Sequence, residues 1–313
     1  MQFQVGPDTY YGTFTVPTSG TGPFPAVLLF SGSGPTDRDG NSSLIAGKVD
    51  SHLIIAHALA EAGVASLRYD KLFSGKTGVA THAKDASTIG YDHQLKVAQA
   101  ALDDLKARPE VDPKRVGLLG HSEGGLTALA LAQTNQPAAV ALIAPMSKAY
   151  LTTIQGQIDA QYDRAAVAGA MSSVDAKAAK SELAAILGEI KSKGTVPAKM
   201  RPELKPLFAP VNLHFLHTVS AYDPAQLIAQ LPATMPILLV AAQRDIQVLP
   251  ADVERLGKAG NRPVKVIAKA NHVFKHVEKP AANPVDDYGN PNLPFAEEAR
   301  LAIVGFFKSS FGL

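Results

Sequence analysis

Residues 115–133 read RVGLLGHSEGGLTALALAQ, an apolar run that passes through a glycine-bounded serine into a helical pattern. A strand that turns sharply into a helix holds the residue at the turn, here Ser122, in a strained conformation and presents its hydroxyl. Only small residues fit two positions before and two positions after such a serine, and Gly120 and Gly124 occupy those positions. The stretch therefore predicts a nucleophilic serine. A serine that only caps the following helix is the alternative.

A serine hydroxyl needs a general base and a carboxylate that orients the base, and candidates for both follow later strands. The apolar run Ile237–Ala242 leads into Asp245, and the run Val264–Ile267 leads into a loop with His272. The order serine, acid, histidine is the one expected for a serine in this kind of turn. We therefore predict Asp245 as the acid and His272 as the base, with His276 as the fallback base. A helix-capping aspartate and a solvated loop histidine are the alternatives.

Attack on a carbonyl also needs two backbone N–H donors for the oxygen that gains charge. Glu123 follows the serine and supplies the first predicted donor. The loop Phe30–Pro35 follows the early strand Ala26–Phe30, and the Ser33 N–H in this loop is the second predicted donor. A phosphate cradle is the alternative for this loop, but the P-loop and dinucleotide-binding patterns are absent. The nine histidines show no metal-ligand spacing, so neither a metal nor a cofactor is predicted.

Short apolar runs alternate with longer helical patterns over most of the chain. This alternation is typical of an α/β fold with a mostly parallel sheet and helices on both faces. It stops between residues 146 and 217, where apolar residues recur at helical spacing. We expect one core, formed by residues 1–145 and 218–313, with a helical insertion at 146–217. The insertion is predicted to be a lid over the site, and a helical hairpin on the side of the core is the alternative.

The composition limits the partners of the chain. Of the 313 residues, 46% are hydrophobic and 19% are charged, with 30 basic and 28 acidic side chains. This balance does not favour nucleic acid as a partner, and the absence of cysteine excludes disulfides and thiolate metal sites. No apolar stretch approaches the roughly 20 residues of a membrane span. The first five residues do not resemble a secretory leader, so we expect a soluble, cytoplasmic protein unless a leader precedes this sequence. The oligomeric state is left open.

Three further segments carry a resemblance to a known family. They are GSGPTDRDG at Gly32–Gly40, RYDK at Arg68–Lys71 and NHVF at Asn271–Phe274. Together with the glycine-bounded serine, they resemble the α/β-hydrolase superfamily. Within it they are similar to bacterial serine esterases related to dienelactone hydrolases and prolyl-oligopeptidase-like enzymes. The resemblance covers nearly the whole chain except the insertion.

The resemblance implies an α/β-hydrolase fold with a helical lid, and an enzyme that cleaves small carboxylic esters with water through an acyl-enzyme. The site residues that it implies are the nucleophile Ser122, the acid Asp245, the base His272 and the oxyanion donors Ser33 and Glu123. A peptidase, an amidase or a lactone hydrolase with the same triad is the nearest alternative. A non-catalytic ligand-binding protein with this fold is a second one. The charged residues Asp37–Asp39 and Asp70–Lys71 are expected to brace loops rather than to act on substrate.

Overall fold

The computed structural model describes all 313 residues, and a sheet of eight strands forms its framework. The strands are β1 Gln2–Val5, β2 Asp8–Thr15, β3 Phe24–Phe30, β4 Ala65–Tyr69, β5 Val111–His121, β6 Ala139–Ile143, β7 Ile237–Ala242 and β8 Val264–Ile267. Across the sheet they lie in the order β1-β2-β4-β3-β5-β6-β7-β8. The pairs β1–β2 and β2–β4 are antiparallel, and all other neighbours are parallel. The predicted α/β class with a mostly parallel sheet is confirmed.

Nine α-helices accompany the strands. They are α1 Ser51–Glu61, α2 Tyr91–Lys106, α3 Glu123–Asn135, α4 Tyr150–Val167, α5 Ser173–Lys193, α6 Pro210–Val219, α7 Pro224–Gln230, α8 Pro250–Gly260 and α9 Glu297–Phe311. Single turns of 3₁₀-helix lie at Ala86–Thr88, Pro202–Leu204 and Pro284–Asp287.

The central strands are buried on both faces. Every residue from 25 to 30 in β3 is buried, and Val27 and Leu29 pack with Ile55 of α1 in one apolar cluster. Successive side chains of a strand point to opposite faces, so the burial of Leu28 between them requires cover on the second face as well. This is why the strands read as continuous apolar runs in the sequence.

The strand order reverses between β3 and β5. From β3 the chain moves to β4 on one side, and it later crosses to β5 on the other side of β3. In open α/β sheets such a reversal leaves a crevice beyond the carboxyl ends of the strands, where ligands bind. Phe30 at the end of β3 lies opposite Gly120 near the end of β5. The loop with Ser33 and the turn with Ser122 therefore leave the sheet side by side.

Strand β5 is longer than the sequence pattern predicts. The apolar pattern indicates a strand over Arg115–Leu119, whereas the structure has one from Val111 to His121. Its first residue pairs with Phe24, and an irregularity separates this pair from the regular ladder. Pro113 lies in the irregular part and has no N–H to donate, so the hydrophobic pattern identifies only the regular part.

The chain divides into two compact units. The α/β unit consists of residues 1–81, 95–147 and 224–313, and the helical unit consists of residues 82–94 and 148–223. These limits differ from the sequence-based limits of 1–145, 146–217 and 218–313. Segment 82–94 was expected in the core and belongs to the helical unit, which also extends to residue 223.

Contacts of Tyr91 explain why segment 82–94 belongs to the helical unit. The Tyr91 ring lies 5.0 Å from the ring of Tyr222 and 5.9 Å from that of Phe215, centroid to centroid. Its backbone N–H donates to Thr218 Oγ1 at 2.7 Å. These contacts join residues 127 positions apart, and local periodicity does not reveal them.

The helical unit has an apolar core of its own. Buried side chains of α4, α5 and α6 and the turn before α6 form it: Leu151, Ile154, Leu183, Ile186, Leu187, Ile190, Leu204, Phe208 and Leu216. The assignment of this unit as a lid stays a prediction. None of the helices of the chain combines the length and the apolar character that a membrane span requires.

Candidate active site

Ser122 occupies the turn between β5 and α3 with φ 53° and ψ −118°, a conformation that residues other than glycine rarely adopt. Its N–H donates to the Ile143 carbonyl at 3.1 Å, which ties the turn to β6. Strain of this kind is held by the surrounding structure and concentrates at functional sites. The Ser122 side chain makes no capping hydrogen bond to α3, so helix capping does not explain its presence.

The turn around Ser122 leaves no space for side chains at Gly120 and Gly124. A Cβ at Gly120 would lie 2.2 Å from the Gly124 carbonyl oxygen, and a Cβ at Gly124 would lie 2.2 Å from that of Phe30. Real Cβ atoms do not approach a backbone oxygen so closely. The predicted need for small residues at these two positions therefore has a direct steric cause.

Asp245 and His272 form a buried hydrogen-bonded pair. Nδ1 of His272 lies 2.7 Å from Oδ2 of Asp245, and both side chains are almost fully buried. The other carboxylate oxygen, Oδ1, accepts from the N–H groups of Gln247 at 2.7 Å and Val248 at 2.9 Å. Because Nδ1 donates to the carboxylate, Nε2 of His272 is left as the proton acceptor.

The two residues meet because they follow neighbouring parallel strands. Asp245 lies three residues after β7 and His272 five residues after β8, and the carboxyl ends of parallel strands reach the same edge of a sheet. The fallback base His276 is placed differently. Its side chain is 39% exposed, and its Nε2 lies 3.1 Å from Oε1 of Glu278.

The predicted oxyanion donors lie on either side of Ser122. Glu123 is the first residue of α3, and the N–H groups of a first turn have no acceptor within their own helix. A Cβ at Gly32 would lie 3.4 Å from Cβ of Ser122, so the loop after β3 passes directly beside the serine. Ser33 follows in this loop and is exposed. The loop does not lead into a helix N-terminus, because the next helix begins at Ser51, and this argues against a phosphate cradle.

Two buried histidines, which the sequence did not single out, lie next to the pair. The His121 ring centroid is 4.8 Å from that of His272, and its Nε2 lies 2.9 Å from the His272 carbonyl oxygen. His52 lies 6.2 Å from His121, and its Nδ1 is 3.2 Å from Ser31 Oγ. His121 is part of the glycine-bounded motif, but the motif accepts any residue there.

Burial keeps both additional histidines neutral. It lowers the pKa of His52 from 6.5 to about 4, with a further decrease from the positive charge of Arg68. It also lowers the pKa of His121 well below 6.5, assisted by the neighbouring His272 and His52. A neutral His121 donates its Nε2 proton to the His272 carbonyl, and this hydrogen bond fixes the backbone that carries the base.

A buried tyrosine lies near the acid and the base. The buried ring of Tyr288 lies 6.3 Å from the His272 ring, centroid to centroid. Its hydroxyl accepts a hydrogen bond of 3.1 Å from Nε2 of Gln247, whose N–H binds Asp245. Burial raises the pKa of Tyr288, so its hydroxyl stays protonated.

The charged residues after the Ser33 loop brace it, as the sequence predicts. Arg38 contacts both carboxylate oxygens of Asp70, at 2.9 Å and 2.5 Å. Burial favours the protonated acid, but hydrogen bonds from Arg38 and from the Lys76 N–H outweigh it and lower the pKa of Asp70. Asp39 pairs with Arg68 at 2.8 Å. Both ion pairs connect the loop to the end of β4.

The strand order, the crevice and the strained serine define the class of α/β hydrolases. The chain belongs to the alpha/beta hydrolase family, whose model matches residues 27–283. It is 31% identical over 268 residues to Esterase EstD of Thermotoga maritima. The match covers 84% of this chain and 57% of that relative, so the chain spans little more than half of its length.

Two solved structures have the same fold at low sequence identity. Est1E from Butyrivibrio proteoclasticus has a TM-score of 0.59 at 14% identity, and the match covers 100% of this chain and 99% of that one. Proline iminopeptidase from Mycobacterium smegmatis has a TM-score of 0.62 at 17% identity, with 99% and 98% covered. At these identities the similarity is one of fold.

Proposed function

We propose that the protein is a serine hydrolase that cleaves carboxylic esters through an acyl-enzyme on Ser122. The observation that carries the proposal is the strained conformation of Ser122 next to His121, whose ring lies 4.8 Å from that of His272 in the buried pair with Asp245. An ester as substrate is supported by the 31% identity to Esterase EstD over 84% of the chain. Small ester substrates and water are the proposed partners.

In the first half of the proposed reaction, Ser122 Oγ attacks the ester carbonyl carbon while Nε2 of His272 takes the hydroxyl proton. The carbonyl oxygen becomes an oxyanion, and the N–H groups of Ser33 and Glu123 are the proposed donors to it. The carbon–oxygen bond to the alcohol then breaks, and His272 returns the proton to the leaving alkoxide. The product is an ester between Ser122 and the acyl group.

In the second half, water attacks the acyl-enzyme while His272 accepts its proton, and collapse of the oxyanion releases the acid and restores the Ser122 hydroxyl. In both halves His272 becomes an imidazolium whose charge Asp245 stabilises across 2.7 Å. The neutral His121 beside it adds no opposing charge. The neutral state of His121 therefore favours the imidazolium form of His272 during the reaction.

The proposal is tested by hydrolysis of p-nitrophenyl esters from acetate to palmitate with the wild type and Ser122→Ala. We expect the variant to lose at least 10³-fold in kcat, because a triad without its nucleophile keeps only the contribution of the oxyanion hole and of binding. Ser66→Ala is the matched control, since it removes a buried hydroxyl without a hydrogen-bond partner in β4. It should retain wild-type activity within about twofold, and circular dichroism verifies equal folding.

The same assay separates the alternatives. Prolyl p-nitroanilide and an aromatic δ-lactone are tested beside the esters, and faster turnover of either one replaces the ester proposal by a peptidase or a lactonase. Equal rates for the wild type and Ser122→Ala contradict the role of the serine. A wild type that hydrolyses none of these compounds contradicts the proposed activity itself.

A further inference from the structure

The side chain of Lys71 makes two contacts next to the candidate nucleophile. Its Nζ donates to the Gly32 carbonyl oxygen at 2.9 Å and to Oε1 of Glu123 at 2.9 Å. The ammonium group therefore connects the two backbone segments that carry the proposed oxyanion donors.

We propose that Lys71 and the Glu123 carboxylate are positioning residues that orient the Gly32–Ser33 peptide, so that its N–H faces the oxyanion. The inference deepens the proposed function and rests on it. Neither side chain is proposed to touch the substrate.

The planarity of the peptide group gives the first argument. The carbonyl of Gly32 and the N–H of Ser33 belong to one trans peptide, in which the two groups point in opposite directions. A carbonyl held by Lys71 therefore directs the N–H away from Lys71. Because Gly32 lies beside Ser122 Cβ, a reversed peptide would bring a carbonyl oxygen to the place where the oxyanion forms. The attraction between the Ser33 N–H and the oxyanion would then be replaced by repulsion between the Gly32 carbonyl oxygen and the oxyanion.

Glycine at position 32 gives the second argument. A peptide that follows glycine rotates with little steric resistance, because glycine lacks a Cβ. Gly32 is buried beside Ser122, but Ser33 and Gly34 are both exposed, so packing covers only one side of this peptide. A hydrogen bond from a charged donor is stronger than a neutral one. The bond from Lys71 therefore selects one of two accessible orientations.

The burial of Glu123 gives the third argument. Its side chain is 1% exposed and that of Lys71 is 14% exposed, so the ammonium group compensates the charge of a buried carboxylate. The Glu123 backbone N–H is itself the other proposed donor. One buried ion pair thus joins both halves of the oxyanion hole.

Other contacts hold the loop in place without Lys71 Nζ. Thr36 Oγ1 donates to the Ser33 carbonyl at 3.1 Å, and Ser74 Oγ donates to the Thr36 carbonyl at 2.8 Å. The Arg38–Asp70 ion pair anchors the next residues. We therefore expect that the loop stays folded without the Lys71 ammonium group and that only the Gly32–Ser33 peptide becomes free to rotate.

The test compares Lys71→Met and Lys71→Arg with the wild type on p-nitrophenyl acetate. Lys71→Met should lower kcat by about 10²–10³-fold, the effect of one lost oxyanion donor, with KM within about threefold. Lys71→Arg keeps a cationic donor, so its kcat should be at least tenfold higher than that of Lys71→Met. Lys265→Met is the matched control, because it removes a Lys–Glu ion pair between exposed side chains and should not change kcat.

A second measurement follows the reaction of Ser122 with a fluorophosphonate. Ser122 Oγ displaces fluoride from phosphorus, His272 takes the hydroxyl proton, and the P=O oxygen takes the oxyanion position. The labelling rate should fall in Lys71→Met by the same factor as kcat. Glu123→Gln keeps an acceptor for Lys71 and should slow both reactions less, by about tenfold.

The outcomes separate the two proposals. Equal labelling and kcat for the wild type and Lys71→Met overturn the positioning role and leave the proposed function intact. A wild type that neither hydrolyses esters nor is labelled at Ser122 overturns the proposed function and the positioning role with it. If Lys71→Met fails to fold, Glu123→Gln decides, and unchanged rates in this variant overturn the inference.

Discussion

The rings of three histidines, His52, His121 and His272, lie next to one another, and their surroundings differ. The His121 ring is 6.2 Å from that of His52 and 4.8 Å from that of His272. Desolvation disfavours the charged form of His52 and His121, whereas Nδ1 of His272 lies 2.7 Å from Oδ2 of Asp245. Of the three rings, only that of His272 is hydrogen-bonded to a carboxylate.

His52 makes the stability of the protein depend on pH in a defined window. Its pKa falls from 6.5 to about 4 on folding, so between these values the unfolded chain binds a proton that the folded chain does not. Stability therefore decreases as the pH falls from 6.5 to 4. One such group contributes about 1.4 kcal/mol per pH unit, or about 3 kcal/mol over the window.

His52→Gln should reduce the slope of unfolding free energy against pH by about 1.4 kcal/mol per unit between pH 4 and 6.5. The measurement is urea unfolding at intervals of half a pH unit. His57→Gln, at an exposed site on the same helix, controls for the substitution itself. An unchanged slope in His52→Gln would mean that His52 is protonated in the folded protein.

At the scale of elements, the loop after β3 is held to the end of β4 by charged side chains. Arg38 donates from Nε and Nη2 to the two carboxylate oxygens of Asp70, and the Arg38 backbone N–H donates to the same carboxylate at 2.9 Å. Gly75 passes so close that a Cβ would lie 2.4 Å from Oδ2 of Asp70. The carboxylate thus organises two loops at once.

Asp70→Asn should lower the unfolding free energy at pH 7 by roughly 3 kcal/mol, at the low end for a buried pair because Arg38 is 19% exposed. The pKa of Asp70 is lowered on folding, so the ion pair stabilises above the unfolded pKa and is lost as the pH falls through the folded one. The difference in unfolding free energy between the variant and the wild type should therefore vanish in acid. Denaturant unfolding at pH 7 and at acidic pH checks this.

Asp163→Asn is the control for the Asp70 substitution. It removes an ion pair to Lys180 whose carboxylate is 63% exposed, so it should cost less than about 1 kcal/mol. An equal loss in the two variants, or a loss in Asp70→Asn that persists in acid, contradicts the assignment of stability to the buried pair.

At the scale of the whole molecule, the α/β unit and the helical unit each contain a large apolar cluster. One lies between the sheet and helices such as α1 and α9, and the other lies among α4, α5 and α6. Leu183 is fully buried in the second core and Leu28 is fully buried in the sheet. Local stability differs between regions of a protein that have separate cores.

Leu183→Ala should destabilise the helical unit by about 2–5 kcal/mol, the usual cost of such a cavity. Hydrogen exchange followed by mass spectrometry should locate the lost protection within residues 148–223. Leu28→Ala is the matched substitution in the sheet and should instead reduce protection in the α/β unit. Equal loss in both units from Leu183→Ala would show that the chain unfolds as one cooperative body.

Much of the fold was predictable, because local patterns report buried strands directly. The runs Ile237–Ala242 and Val264–Ile267 have the same limits in sequence and structure. Local patterns place segment 82–94 in the core, whereas the structure groups it with the helical unit through contacts of Tyr91 with residues far along the chain.

The sequence by itself determined the α/β class, the strained turn at Ser122 and the meeting of Asp245 with His272. It did so because parallel strands bring residues after their carboxyl ends to one edge of the sheet. Only the tertiary structure decided what surrounds them. Lys71 and Glu123 are 52 residues apart, and His121 and the His272 carbonyl are 151 apart. Local sequence patterns do not reveal contacts over such separations. The charge compensation of Glu123 and the protonation of His121 therefore depend on contacts that exist only after folding.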